Sequence, residues 1–147
     1  MQGRPILGDS NILIHLTNAQ SIDHGAATSA VRSLENSGAI LMYTSQNLAE
    51  FWNVCTRVTV GGLGLSIEEA VARLELVQAH FLFLPESSQT DNIYKDLLIR
   101  YRVCGVQAHD ARLAAVMLSN NVRDILTFDK KDFRRYAEIK VTHPADL

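Results

Sequence analysis

Short apolar runs alternate along this chain with segments whose apolar residues recur every three to four positions. The runs, of which PILG at 5–8 is the first, are typical of strands buried on both faces. Segments between them, such as ARLAAVML at 111–118, have the spacing of helices with one apolar face. Alternating strands and helices favour right-handed crossovers and a parallel sheet. We therefore predict an α/β fold of three layers, α/β/α, with a mostly parallel sheet of about four to five strands.

Turn and capping residues separate the predicted elements. Gly38, Gly105 and Asn120 lie where helices are expected to end, and Ser66 with Glu69 has the pattern of a capping box. The predicted strands cover residues 5–8, 39–43, 80–85, 124–128 and, as the last candidate, 138–141. The predicted helices begin after Asp9, near Ala26, at Asn47, after Ser66, near Asp91 and at Asp110, with a Gly-rich turn over 59–66.

The composition is that of an ordinary globular protein. The 147 residues are enough for one domain, which we predict to span 1–147. An apolar fraction of 47% and a charged fraction of 20% are typical of soluble proteins, and the N-terminal segment lacks the apolar core of a secretory signal. We therefore expect a cytoplasmic protein without membrane segments. A net charge of -2 argues against nucleic-acid binding through bulk charge, although a local basic rim is compatible with it.

The chain has two cysteines, Cys55 and Cys104. They are too few for a disulfide scaffold and have no partners at the spacing of metal ligands. We predict that both are small buried side chains without a chemical role.

Four acidic residues lie where a strand is predicted to end or a helix to begin: Asp9, Glu50, Asp110 and Asp129. In an open parallel sheet the carboxyl ends of the strands share one edge, so residues distant in sequence can meet in one crevice there. Carboxylate oxygens are the ligands that hard divalent cations prefer. We predict that these four residues form a divalent-metal site.

Two of these acids have a structural alternative as helix caps. Asp9 could accept the free amide hydrogens of the helical turn that follows it, although the Ser-Asn after it favours the ligand role. Glu50 could close a capping box opened by Asn47. We assign both to the metal.

The other two acids have alternatives of the same kind. Asp110 could complement the positive end of a helix dipole, although its place in a His-Asp-Ala sequence favours a ligand. Asp129 and Asp132 form an Asp-x-x-Asp pair, of which one could be a cap and the other a ligand or its support. We assign Asp129 to the metal and Asp132 to the support of the site.

Three polar residues adjoin the acids in sequence. Ser10 and Thr127 carry hydroxyls, and Asn11 carries an amide, that could hold the carboxylates in place. Their alternative is ordinary bonding in turns and caps.

Several basic residues could bind the phosphates of a nucleic acid. Arg57 lies seven residues after Glu50, hence near the same helical face, and Arg112 lies two residues after Asp110. Lys130 belongs to a basic group around the last acids. That group comprises Lys130, Lys131, Arg134 and Arg135. The alternative is an ordinary solvated charged surface.

Four motifs together resemble one known family, the PIN-domain nucleases, and most closely the VapC-type toxin ribonucleases. The motifs are GDSN at 8–11, LAEFWN at 48–53, VQAHDARLAA at 106–115 and ILTFDKKDF at 125–133. Their order and approximate spacing are those of the family, and the resemblance covers nearly the whole chain. One departure is Gly8, where the family usually has a bulky apolar residue, and this departure concerns local packing.

The resemblance implies a PIN-like fold and hydrolysis of RNA phosphodiesters with Mg²⁺ or Mn²⁺ held by the acidic cluster. It further implies a homodimer and a small antitoxin protein whose peptide occupies the active-site groove. One apolar set could form a surface for either partner, or could belong to the core instead. That set comprises Phe51, Trp52, Leu63 and Leu65.

Two other functions are compatible with a cluster of acids. A PIN nuclease for RNA maturation, or one that cuts DNA structures, would use the same residues. A receiver-type phosphoacceptor module also binds Mg²⁺ at a strand-end Asp, but it requires a Lys at the end of a late strand. Here the late strand ends in Thr127-Phe128-Asp129, and a receiver module leaves Glu50 and Asp110 unexplained.

Overall fold

The computed structural model describes residues 3–147, in which five strands form one all-parallel sheet with the order β3-β2-β1-β4-β5. The first two residues of the predicted domain, 1–147, lie outside this range. The strands are β1 (Pro5–Gly8), β2 (Ile40–Tyr43), β3 (Leu82–Phe83), β4 (Asp124–Leu126) and β5 (Lys140–Thr142). The predicted parallel α/β architecture is confirmed.

Six α-helices of the described residues connect the strands or pack beside them. They are α1 (Ser10–Thr17), α2 (His24–Asn36), α3 (Ser45–Thr56), α4 (Ile67–His80), α5 (Thr90–Arg100) and α6 (Gln107–Ser119). The predicted capping box of Ser66 and Glu69 opens α4. Short 3-10 turns follow at Lys130–Asp132 and Pro144–Asp146.

Successive residues of the central strands point to opposite faces of the sheet, as the pleat requires. Ile6 and Leu126 enter a core shared with α1, α2, α3 and α4. Leu7 and Ile125 enter a second core shared with α5 and α6. The sheet is therefore covered by helices on both faces, which gives the predicted three layers.

The two edge strands differ from their predicted bounds. Residues 80–85 contain only the two-residue strand β3, since this edge strand pairs with β2 alone and only through Leu82 and Phe83. Both side chains are exposed. The last strand begins at Lys140 and not at Glu138, because its pairing with β4 starts opposite Asp124.

One of the two cysteines is not where we predicted it. Cys55 belongs to α3 and is fully buried in the core. Cys104 is exposed, so the prediction of two buried thiols is wrong for this residue. It lies in the loop between α5 and α6, where Arg102 and Gly105 both have positive φ and turn the chain along the surface.

The apolar set on α3 and the following loop divides between core and surface. Phe51 is fully buried in the core, and Trp52 and Leu65 pack against that core while keeping part of their surface exposed. Leu63 is also partly exposed. Phe51 is therefore excluded from a partner surface. No helix within residues 3–147 has both the length and the apolar character needed to cross a membrane.

The strand order places a crevice beside β1. From β1 the chain first builds the sheet toward β2 and β3, and then returns to add β4 on the other side of β1. Such a reversal leaves a crevice at the carboxyl ends of the two strands that flank it. Asp9 directly follows β1, and Thr127 directly follows β4.

Candidate metal centre

Asp9 lies at the junction of β1 and α1 and is 9% exposed. Its backbone amide donates to Leu126 O at 3.0 Å, so that pairing with β4 continues past the end of β1. Oδ1 accepts a hydrogen bond from Ser10 N at 2.8 Å, which caps α1. Oδ2 accepts one from Thr127 Oγ1 at 2.8 Å. The cap and the neighbouring strand therefore fix the same carboxylate.

Thr127 is fully buried and joins three parts of the site. Besides donating to Asp9, its hydroxyl oxygen accepts from Asn11 Nδ2 at 3.3 Å and from Asp129 N at 3.0 Å. Asn11 Oδ1 in turn accepts from Phe128 N at 3.3 Å. The hydroxyl and amide that we predicted to support the acids thus connect the start of α1 to the segment after β4.

Glu50 reaches the site from α3 through Ser10. The Ser10 hydroxyl donates to Glu50 Oε2 at 2.5 Å and accepts from Asn47 Nδ2 at 3.2 Å. The helix begins at Ser45 and not at Asn47 as predicted, because Thr44 is its N-cap and closes a capping box with Asn47. Glu50 therefore lies beyond the first turn of α3, where it cannot serve as that cap.

Gln46 is a residue of the site that sequence reasoning missed. Its Nε2 donates to Glu50 Oε1 at 3.2 Å and to the backbone carbonyl of His109 at 2.8 Å. Its Oε1 accepts from Arg112 Nη1 at 3.2 Å. The amide therefore ties α3 to the first turns of α6. Its position four residues before Glu50, one helical turn away, could have identified it from the sequence.

Asp9 and Asp110 have pKa values far above the usual value of an aspartate. Burial raises the pKa of Asp9 from 3.8 to about 6, against hydrogen bonds that lower it, and the charges of Glu50 and Asp132 raise it further. Burial, followed by the charges of Asp132, Asp9 and Glu50, raises the pKa of Asp110 to about 7. Four carboxyl groups from separate segments are therefore close enough to repel one another.

The two acids after β4 differ in burial and in their effect on the other acids. Asp132 is partly buried, and burial together with the charge of Asp129 raises its pKa. Asp129 is exposed at the start of the 3-10 turn. Among the described residues, Asp132 is the member of the pair whose charge raises the pKa of both Asp9 and Asp110. Asp132 therefore interacts with Asp9 and Asp110 more strongly than Asp129 does.

The three basic residues predicted to bind phosphate have other contacts. Arg112 forms an ion pair with Glu86, and Lys130 forms one with Asp146 at 2.7 Å. Arg57 does not continue the face of Glu50, because the chain leaves α3 at Thr56. Its guanidinium lies near Gly61 instead, in the Gly-rich loop.

The donor set of the cluster suits a hard divalent cation. No group of three or more His, Cys, Asp or Glu side chains in residues 3–147 is arranged closely enough to hold a metal ion by itself. Mg²⁺, however, keeps several waters and commonly uses only one or two carboxylates together with phosphate oxygens of the substrate. The mutual repulsion of the carboxylates is a second indication, since a cation would relieve it. The residues therefore fit a hard divalent cation.

The fold has close counterparts among solved structures. A chain of VapBC2 from Rickettsia felis, bound to a DNA fragment of its promoter, is 15% identical, with a TM-score of 0.69 over 95% of this chain and 98% of that chain. VapBC-1 from nontypeable Haemophilus influenzae is 19% identical, with a TM-score of 0.68 over 96% and 98%. VapC20 of Mycobacterium tuberculosis, a sarcin-ricin loop cleaving toxin, is 20% identical, with a TM-score of 0.63 over 89% and 95%. At such identities the likeness shows a shared fold.

Sequence comparison identifies the family. Comparison with curated protein sequences gave no significant match. The family profile of the PIN domain matches residues 6–139, a range that includes every acid of the cluster. The chain therefore belongs to the PIN domain family, as its four motifs predicted.

Proposed function

We propose that this protein is a divalent-metal-dependent endoribonuclease that hydrolyses RNA phosphodiester bonds. The observation that carries the proposal is the convergence of Asp9, Glu50, Asp110 and Asp132 at the carboxyl edge of the sheet, where the charges of the other three raise the pKa of Asp110. Carboxylates that repel one another in the absence of a cation are suited to bind one. Membership of the PIN domain family supports a reaction at phosphodiester bonds.

Asp9, Glu50 and Asp110, with Asp132 or Asp129 as a fourth acid, would hold Mg²⁺ or Mn²⁺. The bound ion would polarise the scissile phosphate and lower the pKa of an attacking water. The protein groups around it fix the carboxylates. Thr127 orients Asp9, and Ser10 orients Glu50, through the hydrogen bonds described above.

We further propose that the enzyme is the toxin of a toxin–antitoxin pair and inhibits growth or translation. Support comes from the similar structures, among them a sarcin-ricin loop cleaving toxin and several VapBC complexes. An apolar groove of about 490 Å³ between α3 and α4 offers a place for a partner peptide. It is lined by Ser45, Leu48, Ala49, Trp52 and Leu74. A homodimer and a small antitoxin are the expected partners.

The enzymatic part is tested by incubating labelled total RNA with the wild type and with Asp9→Asn, each with Mg²⁺, with Mn²⁺ and with EDTA. Asp91→Asn, which neutralises an exposed acid on α5, is the matched control. We expect discrete fragments that need metal, vanish with Asp9→Asn and persist with the control. Equal cleavage by the wild type and Asp9→Asn would refute the proposed site.

The toxin role is tested by expression in a bacterial host. We expect growth arrest with the wild type and normal growth with Asp9→Asn. Relief of the arrest by the neighbouring short reading frame would identify the antitoxin. RNA cleavage in vitro without any growth arrest would instead favour an RNA-processing nuclease.

A further inference from the structure

An RNA phosphate that approaches the acid cluster needs a basic side chain nearby. Three of the basic residues predicted to bind phosphate are either paired with a carboxylate or placed elsewhere. Arg112 is paired with Glu86 and Lys130 with Asp146. Arg57 lies beside the Gly-rich loop. The charge of each paired residue is therefore already offset by a carboxylate.

We propose that Arg135 binds a phosphate of the RNA next to the cleaved bond. This inference rests on the proposed function and names the side chain that would hold the substrate. It is supported by the position of Arg135, by its hydrogen bond to Gln107 and by the donors that this contact leaves available.

Arg135 lies between the two elements that carry the partly buried acids. It follows Asp132 by three residues, and its Nη2 donates to Gln107 Oε1 at 2.8 Å. Gln107 in turn precedes Asp110 by three residues in the first turn of α6, hence on the same helical face. The guanidinium is therefore held near Asp110 by a neutral partner.

The guanidinium has donors that remain available for a ligand. Within residues 3–147 Arg135 forms no ion pair with a carboxylate. A guanidinium has five N–H donors, so its contact with Gln107 leaves others for a ligand.

The chemistry of the group fits a phosphate. Two parallel N–H donors of a guanidinium match two oxygens of a phosphate, which an ammonium group cannot do in the same way. A polyanion that approaches four carboxylates is repelled by them, and a cation at the rim offsets that repulsion. Arg135 is a partly buried arginine that lies three residues after Asp132.

The test measures RNA binding in a background that cannot cleave. Single-stranded RNA is titrated with Asp9→Asn protein in the presence of Mg²⁺, from about 50 to about 200 mM salt, and the slope of log K against log salt is determined. We expect Arg135→Ala to reduce that slope by roughly 0.7, the loss of one phosphate contact on a single strand. We expect it to weaken binding by about tenfold or more, as for a hydrogen bond to a charged group.

Two further variants separate the effect of the charge from that of the hydrogen-bond geometry and of the position. Arg135→Lys keeps the charge and loses the fork, so the slope should be restored and the affinity only in part. Arg32→Ala, an exposed arginine on α2, removes the same charge elsewhere and should leave the slope unchanged. The inference is overturned if Arg135→Ala and Arg32→Ala have equal slopes.

Cleavage by the wild type separates this inference from the proposed function. If the wild type cleaves RNA and the Arg135→Ala slope is unchanged, only the role of Arg135 is lost. If the wild type neither cleaves nor binds RNA, the proposed function fails as well. Circular dichroism of each variant checks that the fold persists.

Discussion

The Ser10 hydroxyl lies 2.5 Å from Glu50 Oε2 and joins the start of α1 to the middle of α3. Ser10 also accepts from Asn47 Nδ2 at 3.2 Å, so its hydroxyl hydrogen is directed toward the carboxylate. Glu50 is an exposed residue, and an exposed glutamate has considerable rotamer freedom. This bond and the one from Gln46 therefore determine where its carboxylate points.

We expect Ser10→Ala to weaken metal binding while the fold persists. Loss of a group that orients a metal ligand typically lowers the metal affinity by about 10–100-fold. Calorimetric titration with Mn²⁺ measures this affinity. The free energy of unfolding should fall by about 1–2 kcal/mol, because the amide of Asn47 loses its buried acceptor. Ser29→Ala, an exposed serine on α2, is the control. An unchanged Mn²⁺ affinity in Ser10→Ala would contradict this role.

The metal-free protein should become less stable as the pH rises. Burial raises the pKa of Asp9 to about 6, so the folded state binds this proton more tightly than the unfolded chain. That contribution is fully present below about pH 4 and is lost as the pH rises through about 6. The same sign holds for Asp110, whose pKa burial raises to about 7. We expect a loss of about 2–3 kcal/mol between about pH 5 and pH 8 in urea unfolding.

A variant and a cation test the cause of this pH dependence. Asp110→Asn should stabilise the metal-free protein at about pH 8 and flatten its pH dependence, because one repelling charge is gone. Saturating Mg²⁺ should stabilise the wild type most at high pH, where it no longer competes with protons. A wild type whose stability is the same at both pH values in EDTA would exclude a strained acid cluster.

The order and kind of the elements were predictable, because buried strands read as apolar runs whatever their neighbours are. The strand order in the sheet was not, since periodicity along the chain does not state which strands pair. The length of β3 was missed for the same reason, because β2 limits it. Cys104 was placed wrongly because residue type alone does not show that a loop stays on the surface.

The site was predictable in part. Asp9 adjoins a strand end and Asp110 a helix start, and a parallel sheet brings such positions to one edge. Glu50 was expected at a helix start and instead lies in the middle of α3. Gln46 and Arg135 both contact α6. Gln46 bonds to His109, which is 63 residues away in the sequence, and Arg135 bonds to Gln107, which is 28 residues away. Sequence spacing identifies a helical face and not the element that packs against it. Such pairs therefore needed the structure.

Gly8 departs from the apolar residue usual in the family, and the structure gives the physical reason. A Cβ at this position would lie 2.7 Å from Cε1 of the Phe81 ring, and both residues are buried. We expect Gly8→Ala to lower the free energy of unfolding by about 1–3 kcal/mol through overpacking. Gly8→Ala with Phe81→Leu should be less destabilised than the sum of the two single variants. Additive losses in urea unfolding would show that the ring can move aside.

Asp129 and Asp132 can be distinguished by a matched pair of variants. The sequence pattern favoured Asp129 as the ligand, whereas the charge of Asp132 raises the pKa of both Asp9 and Asp110. We expect Asp132→Asn to lower the pKa of both aspartates in the metal-free protein, because it removes a repelling charge, and to weaken Mn²⁺ binding by about 10–100-fold. Asp129→Asn should change both quantities clearly less. NMR titration of the carboxyl carbons measures the pKa values, and calorimetry measures Mn²⁺ binding. Larger changes with Asp129→Asn than with Asp132→Asn would show that Asp129 is the fourth acid of the cluster.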